Sequence, residues 1–210
     1  ADPEGNPRLR TAIATAKSHS MPKDRIERAI QSSQGSDAAN YEEVRYEGFG
    51  PGGIGIIVEA LTDNRNRTAS DLRAIFSKNG GNMGETGSVN YLFEHVGRIV
   101  YPADIGDADT MFEAALEAGA EHVDSDEETH EIYCPDTDLH QVAKALEEHL
   151  GQEAQVAKLY WKAKDPVQVA EDDAEQLMKL IDALEDNDDV QEVFGNYAFS
   201  DEVLDKLNAA

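Results

Sequence analysis

Two asparagines and two arginines alternate at positions 64–67, in a polar loop between a predicted strand and a predicted helix. The guanidinium groups of Arg65 and Arg67 offer planar sets of donors that match phosphate oxygens. The free N–H groups and the dipole at the start of a helix favour an anion in the same place. The predicted anion-site residues are Asn64, Arg65, Asn66 and Arg67. In the alternative interpretation, the two arginines are structural and pair with neighbouring acids such as Asp63 and Asp71.

A second candidate for contact with a partner is the segment GGNMGETGS at residues 80–88, which has four glycines in nine residues. Such a segment can approach a partner's backbone closely, or it can simply be floppy. We predict a flexible contact loop, and we assign Lys78, just before it, to the nucleic-acid-binding set. The loop residues are Gly80, Gly81, Asn82, Met83, Gly84, Glu85 and Thr86.

Strands and one helix must position these two loops. Residues 44–47 partly alternate and predict an edge strand, and residues 54–61 are apolar and β-branched, as in a buried strand. Thr68 and Asp71 have the spacing of a capping box, which predicts a helix that begins there and ends before Gly80. A further strand is predicted from the alternation of Val89, Tyr91 and Phe93.

The first 35 residues predict a helical hairpin that carries the clearest basic stretch of the chain. Asn6 and Pro7 suit the start of its first helix, and Pro22 suits the start of its second. Its basic residues are Arg8, Arg10, Lys17, Lys23, Arg25 and Arg28. One interpretation is a helix–turn–helix that binds DNA. The other is a solvated helix face with i,i+4 ion pairs, which the residues alone favour.

From Arg98 onward, the hydrophobic pattern predicts the order β-α-β-β-α-β, which is the ferredoxin-like arrangement. Its first helix is predicted to share one face among Met111, Phe112, Ala115 and Leu116. A later helix and a strand at 190–194 would complete a second such unit that begins at Ile54. The predicted fold class is α+β: an N-terminal helical hairpin followed by two ferredoxin-like α/β domains, one inserted into the other. The predicted domains are 1–38, 39–100 with 166–210, and the inserted acidic domain 101–165.

The net charge of −25 over 210 residues is unevenly distributed. Residues 1–100 carry 12 lysines and arginines against 13 acidic residues, whereas residues 101–210 carry 6 against 30. Because nucleic acid repels an acidic surface, a nucleic-acid-binding surface, if the chain has one, is predicted to lie in the first half. The second half should face water or a basic protein. The acidic run at 186–189 is predicted to be a solvated helix end.

The composition excludes several classes of protein. The single cysteine, Cys134, excludes an internal disulfide and fits a reducing compartment. No apolar run approaches the ~20 residues that a membrane span needs. The first residues lack the apolar segment of a signal peptide. We therefore predict a cytoplasmic protein that has no membrane partner.

Catalytic and metal-binding motifs find little support. The letters G-x-G-x-x-G at 48–53 match the dinucleotide fingerprint, but they include Pro51 and precede a strand, so a hairpin turn is favoured. The acidic run at 124–128 lacks the glycine and glutamate of a calcium loop, and His122 and His130 lack further metal ligands. We predict no enzyme, no cofactor, no metal and no small-molecule substrate.

Five stretches carry a family resemblance: DNRNRTASDLR, FSKNGGNMGETGSV, YEGFGPGG, NPRLRTAI and MPKDRIERAI. Together they resemble the YebC family of bacterial gene-expression regulators over nearly the whole chain. The resemblance implies three domains, the third inserted into the second. Members normally begin with a basic segment resembling AGHSKWANIKHRK, which this sequence does not include, and we expect a lower nucleic-acid affinity without it.

The resemblance also implies a function in gene regulation. The usual description of the family favours a DNA-binding transcriptional regulator. The alternative is a ribosome-associated translation factor that binds RNA and helps the synthesis of proteins with proline runs, since mitochondrial relatives activate translation. The expected partners are DNA, or ribosomal RNA and tRNA on the ribosome, with ribosomal proteins as further candidates.

Overall fold

The computed structural model describes residues 6–18, 20–33 and 40–209. Its helices are α1 (Pro7–Ser18), α2 (Lys23–Ser32), α3 (Arg65–Lys78), α4 (Ala108–Ala118), α5 (Leu139–Leu150), α6 (Glu171–Glu185) and α7 (Asp201–Ala209). Its strands are β1 (Glu42–Phe49), β2 (Gly55–Thr62), β3 (Asn82–Met83), β4 (Phe93–Pro102), β5 (His122–Ser125), β6 (Thr129–Pro135), β7 (Val156–Ala163), β8 (Val167–Gln168), β9 (Val190–Gly195) and β10 (Tyr197–Ala198). Within these ranges, no helix has both the length and the apolar character that crossing a bilayer requires.

The first sheet has the strand order β3-β1-β2-β9, with antiparallel pairing throughout. The apolar sequence of β2 is explained by the covering of both its faces. Ile56 and Val58 join the core beneath α3 and α6, together with Leu72 and Phe76. Ile57 points the opposite way, into a separate core. This alternation fixes α3 on one face of the sheet.

The second sheet has the strand order β5-β6-β4-β7, again with antiparallel pairing. The chain passes through it in the order β4-α4-β5-β6-α5-β7, which is the predicted ferredoxin-like order. Helices α4 and α5 cover one face, over a core that includes Ile99, Ile132 and Leu146. The unit built on the second sheet therefore has a hydrophobic core of its own.

The first sheet has the same spatial arrangement with a different order along the chain. Strand β1 precedes β2 in sequence, yet it occupies the place that β6 has in the second sheet. Helices α3 and α6 correspond to α4 and α5. The predicted fold class, α+β with two ferredoxin-like units, is confirmed.

A third core lies between the two sheets. It is built from Ile57, Val89, Phe93 and Phe194. Tyr160 of β7 meets Phe194 edge-on, with 5.2 Å between the ring centroids. The Trp161 indole donates a hydrogen bond of 2.9 Å to Glu59 of β2. The two sheets are thus joined by apolar packing and by a polar contact beside it.

One expectation about the strands is wrong, and another holds only in part. Residues Asn90–Leu92 form a 3₁₀ turn, and β4 is one strand from Phe93 instead of two strands near 89–93 and 98–101. The backbone N–H groups of Val89 and Asn90 donate to the buried carboxylate of Glu47. Because these donors are used by a side chain, they are not available to a neighbouring strand. The prediction of an edge strand at 44–47 holds only in part: β3 pairs with the end of β1 at Gly48 and Phe49, and the Gly84 N–H bonds to the Glu47 backbone oxygen, so the strand is covered there.

The predicted inner face of α4 is also wrong in part. Met111 and Ala115 are buried as expected, and Ala114 is buried with them. Phe112 and Leu116 are instead exposed. The core side of α4 is filled mainly by small alanines, so the two large side chains lie on the opposite face.

We propose the predicted three-part division with one adjustment. Strand β4 pairs entirely within the second sheet, so the inserted unit would begin near residue 93 instead of 101. The predicted boundary near residue 38 lies outside the described residues.

Candidate nucleic-acid interface

The start of α3 lies where the sheet brings three polar segments together. Because β1 and β2 are antiparallel, Glu42 at the start of β1 pairs with Thr62 at the end of β2. The chain then turns directly into α3, so Glu42 and Tyr46 of β1 lie beside residues 63–66. These segments line an open depression of about 560 Å³.

Helix α3 begins three residues earlier than the sequence predicts. Asn64 is its N-cap, and the side-chain oxygen of Asn64 accepts the Arg67 N–H at 3.1 Å. Arg65, Asn66 and Arg67 therefore form the first turn of the helix instead of a loop before it. Thr68, the predicted start, is buried. The local sequence does not distinguish the two possible starts of the helix, because both Asn64 and Thr68 are acceptable N-cap residues.

Asp189 is the centre of the hydrogen bonding beneath this helix start. It accepts hydrogen bonds from the Thr68 hydroxyl at 2.6 Å and from the Arg67 guanidinium at 2.9 Å to each oxygen. The hydrogen bond from Thr68, followed by that from Arg67, lowers the pKa of the Asp189 carboxyl. The expectation that residues 186–189 are a solvated helix end is wrong for Asp189, whose side chain is only 13% exposed.

The two arginines of this turn therefore have different surroundings. Arg67 pairs with Asp189 and, at 3.0 Å, with Asp63. Arg65 is 62% exposed and lies 3.6 Å from Glu42, itself half exposed. An exposed ion pair of this length contributes little energy and is easily exchanged. Arg65 thus remains a candidate for phosphate contact, whereas Arg67 serves the structural role of the alternative interpretation, with Asp189 in place of Asp71.

Tyr46 supports the same turn from the strand below. Its hydroxyl donates a hydrogen bond of 3.2 Å to the backbone oxygen of Arg65. Burial raises the pKa of the Tyr46 hydroxyl, so it remains a donor at neutral pH. Sequence reasoning missed Tyr46 and Glu42, since only the pairing of β1 with β2 places them here.

The glycine segment is only partly a loop. Asn82 and Met83 form β3, and the Gly84 N–H donates to the Glu47 backbone oxygen at 2.8 Å. Gly80, with φ +74°, ends α3. A Cβ on Gly81 would lie 2.5 Å from the Phe49 oxygen, so only glycine allows this close approach. The prediction of one continuous loop is wrong, because backbone pairing with β1 holds its first half.

Glu47 holds the far end of the same segment. Its side chain is fully buried, and one carboxylate oxygen accepts the N–H groups of Val89 at 2.9 Å and Asn90 at 3.1 Å. Burial raises the pKa of this carboxyl, but the backbone hydrogen bonds and Arg45 outweigh burial and leave it lowered. The longest exposed run of the segment is its tip, formed by Glu85, Thr86 and Gly87.

The basic helices present their charge to solvent. The Lys23 Nζ lies 3.6 Å from Glu27 Oε1, and the Arg28 Nη2 lies 3.7 Å from Asp24 Oδ2. These are the i,i+4 ion pairs that the second interpretation predicts. The exposed cations on α1 and α2 are Arg10, Lys17, Lys23, Arg25 and Arg28. The side chain of Arg8 lies outside the described residues. Pairs as exposed as these leave the cations available to a phosphate backbone.

The structure does not bring all predicted residues together. Lys78 lies in the last turn of α3, about 20 Å along the helix from Arg65. It is exposed beside the glycine segment, at the opposite end from the helix start. The candidates thus form three groups: the α1–α2 cations, the α3 start, and Lys78 with the glycine segment.

The cysteine and the two histidines that were considered as catalytic or metal-binding residues make contacts within the fold. Burial raises the pKa of the Cys134 thiol to about 11, so it is no thiolate nucleophile at neutral pH. His122 pairs with Asp124, whereas His130 bonds to Ser125 and to the Gly106 backbone oxygen. The two histidines therefore have separate partners.

Replacing Asp189 by alanine should lower the free energy of unfolding by about 1–3 kcal/mol, because Thr68 and Arg67 lose their charged acceptor. The matched control is Asp188→Ala, which removes a neighbouring exposed carboxylate and should change stability by about 0.5 kcal/mol or less. Denaturant unfolding of both variants measures the difference. Equal stability of the two variants would contradict the structural role of Asp189.

The fold is that of an α+β protein of two ferredoxin-like units, with exposed cations on α1, on α2 and at the start of α3. Residues 41–197 match the family profile described as "TACO1/YebC second and third domain", and residues 1–36 match "TACO1/YebC protein N-terminal domain". The chain belongs to the TACO1/YebC family.

A solved structure is similar to this chain over most of its length. The chain is similar to the crystal structure of a conserved hypothetical protein, Aq1575, from Aquifex aeolicus, with 45% sequence identity and a TM-score of 0.82. The similarity covers 97% of this chain and 84% of that one. The predicted family resemblance is confirmed, and membership supports a regulatory or translation-related role.

Proposed function

We propose that this chain regulates gene expression by binding a nucleic-acid backbone through its first half, and that the main target is RNA on the ribosome. The observation that carries the proposal is the distribution of charge. The candidate phosphate-binding cations lie at positions 8–78, whereas residues 101–210 carry 30 acidic and only 6 basic residues. Family membership supports the broader regulatory or translation-related role.

The contact would be made by exposed cations on three helices, α1, α2 and α3. On α2, Lys23 and Arg28 take part in ion pairs that are themselves exposed, so a phosphate can replace the carboxylate. Arg10 and Lys17 of α1 and Arg25 of α2 are exposed as well. Arg65 adds one cation at a helix start, where backbone N–H groups also favour an anion. Binding of this kind follows the phosphate backbone without reading the base sequence.

The acidic half favours the ribosome over extended DNA. A long DNA duplex is negative along its whole length and would repel an attached unit of this charge. A ribosome offers RNA together with basic proteins, so the acidic half can lie against protein or solvent. We therefore place translation first, as an RNA-binding factor that assists elongation, including through proline runs.

A DNA-binding transcriptional regulator is the second candidate. The observation that favours it is the pair of short helices α1 and α2, of which the second has lysine or arginine at three positions. Two helices joined by a short connection are the arrangement with which helix–turn–helix proteins contact the major groove. Sequence-specific retardation of a promoter fragment would support this candidate.

The phosphate role of Arg65 predicts a change in salt dependence. Arg65→Ala should weaken binding to a fluorescent RNA hairpin and flatten the slope of log K against log salt by roughly 0.7 to 0.9 for one lost contact. The melting temperature should barely change, since an exposed ion pair contributes ~0–1 kcal/mol. A salt titration with a parallel thermal melt measures both.

The matched control for this experiment is Arg73→Ala, which removes another exposed arginine from the same helix. It should leave both the slope and the melting temperature unchanged. An unaltered slope and affinity in Arg65→Ala would remove Arg65 from the interface. A large fall in its melting temperature would show that its role is structural.

A further inference from the structure

The outer face of α4 carries an exposed apolar ridge, formed by Phe112 and Leu116. Phe112 is 55% exposed and Leu116 is 64% exposed. One helical turn separates them, so their side chains are neighbours on the surface. Among the large apolar side chains that the structure shows as exposed, these two alone share a helix. The core face of the same helix is formed by Met111 and three alanines.

Acidic side chains border this ridge. Asp109, Glu113 and Glu117 are exposed on the same helix, at positions that flank Phe112 and Leu116. Glu117 lies 3.8 Å from His149 of α5. The surrounding unit, residues 101–165, carries 17 acidic and only 4 basic residues. The ridge therefore combines an apolar contact with a strongly negative rim.

We propose that this ridge binds a lysine- and arginine-rich segment of another protein, which places one or two apolar side chains against Phe112 and Leu116. Apolar anchors at the centre of an interface provide most of its affinity. Complementary charges around them guide the encounter and exclude wrong partners. A nucleic acid does not fit, because the acidic rim would repel its phosphates. A second copy of this chain does not fit either, because it would bring the same acids to the same face.

Helix α7 offers a comparison with the ridge. It is similarly acidic and has an exposed leucine, Leu204, at 41%. Among the described residues, no other exposed large apolar side chain lies on α7, which also carries Lys206. Leu204→Ala is therefore a matched control, since it removes an exposed leucine from an acidic helix without touching the ridge.

The test uses the whole chain and two synthetic helical peptides. The first is a lysine–leucine peptide of about 18 residues with leucines at i, i+3, i+4 and i+7 spacing. The second has the same lysines with serine in place of leucine. Fluorescence anisotropy should show that the leucine peptide binds more tightly than the serine peptide. Phe112→Ala with Leu116→Ala should weaken the leucine peptide about tenfold, as expected for loss of two anchors.

Two further variants separate the parts of the proposal. Leu204→Ala should bind the leucine peptide as the wild type does. Asp109→Asn with Glu113→Gln should reduce the salt dependence of binding, because it removes two charges of the rim. Circular dichroism should show wild-type melting for every variant, since the altered side chains are exposed.

Three results would overturn the proposal. The first is wild-type affinity of the Phe112→Ala, Leu116→Ala variant for the leucine peptide. The second is equal loss of affinity in Leu204→Ala. The third is dimerisation of the wild type, measured by sedimentation equilibrium, that the double variant abolishes, because the ridge would then be a contact between two copies of this chain. None of these results depends on whether the first half binds nucleic acid.

Discussion

Glu47→Ala should lower the free energy of unfolding by about 2–4 kcal/mol, because it leaves buried donors without their acceptor. The N–H groups of Val89 and Asn90 lose the carboxylate that they share. Arg45, whose Nε lies 3.3 Å from Glu47, loses its opposite charge. Since these groups hold the end of the glycine segment, the exposed tip at residues 85–87 should also lose order. Denaturant unfolding measures the first effect, and hydrogen exchange of the Val89 and Asn90 amides measures the second.

The control for Glu47 is Glu85→Ala, which removes an exposed glutamate from the same segment. It should change stability by about 0.5 kcal/mol or less. If the two variants were equally stable, Glu47 would not anchor the segment.

Glu47 should also contribute a recognisable dependence on pH. Its pKa is lower in the folded chain than the ordinary glutamate value of 4.5. Its stabilising effect is therefore complete above about pH 4.5 and is lost as the pH falls through the folded pKa. The stability difference between wild type and Glu47→Gln should be constant near neutral pH and should shrink below pH 4.5. A difference that grows on acidification would contradict this sign.

Leu146→Ala should destabilise the acidic unit by ~2–5 kcal/mol, because it removes a fully buried side chain and leaves a cavity. Leu146 lies in the core beneath α4 and α5, together with Ile99, Ile132 and Met111. The same substitution at exposed Leu116 should change stability by about 0.5 kcal/mol or less. Thermal and denaturant unfolding compare the two variants. A similar loss in both would show that Leu146 does not form part of this core.

The local patterns of the sequence predict much of the fold. Alternation and apolar runs locate β2 and the strands of the second sheet, and glycines mark the ends of α3, α4 and α5. The β-α-β-β-α-β order follows from these signals together. The family resemblance adds the insertion of one unit into the other. These signals lie within short stretches of sequence, where the spacing of apolar residues and glycines is enough to predict a strand or the end of a helix.

Most of the wrong predictions have one physical cause, which is contact between distant residues. Asp189 bonds to Thr68 across 121 positions, and Glu47 bonds to Val89 across 42. Neither acid differs locally from a solvated one. The two-residue strand β3 depends on pairing with β1 and has no pattern of its own. On α4, alanines fill the core face, so the largest apolar side chains point away from the core that they were expected to join.

The candidate site shows the same limit. The sequence locates the cations and the helix, but it does not decide which arginine is available. The structure separates Arg67, which is held by Asp189 and Asp63, from Arg65, whose ion pair among the described residues is an exposed contact with Glu42. Because Asp189 joins the site from the far end of the chain, only the fold makes this distinction.

The most direct test of the central claim compares ribosomes with DNA for the same protein in the same buffer. In a sucrose gradient, the chain should sediment with ribosomes at low salt and leave them at high salt, since the contact is electrostatic. The variant Lys23→Ala, Arg25→Ala, Arg28→Ala should shift toward the free fractions. Nonspecific duplex DNA should bind no more tightly than the usual range of ~10⁻⁴ to 10⁻⁶ M at physiological salt. Protein that stays free of ribosomes at low salt and forms a tight, specific complex with a promoter fragment would contradict the account.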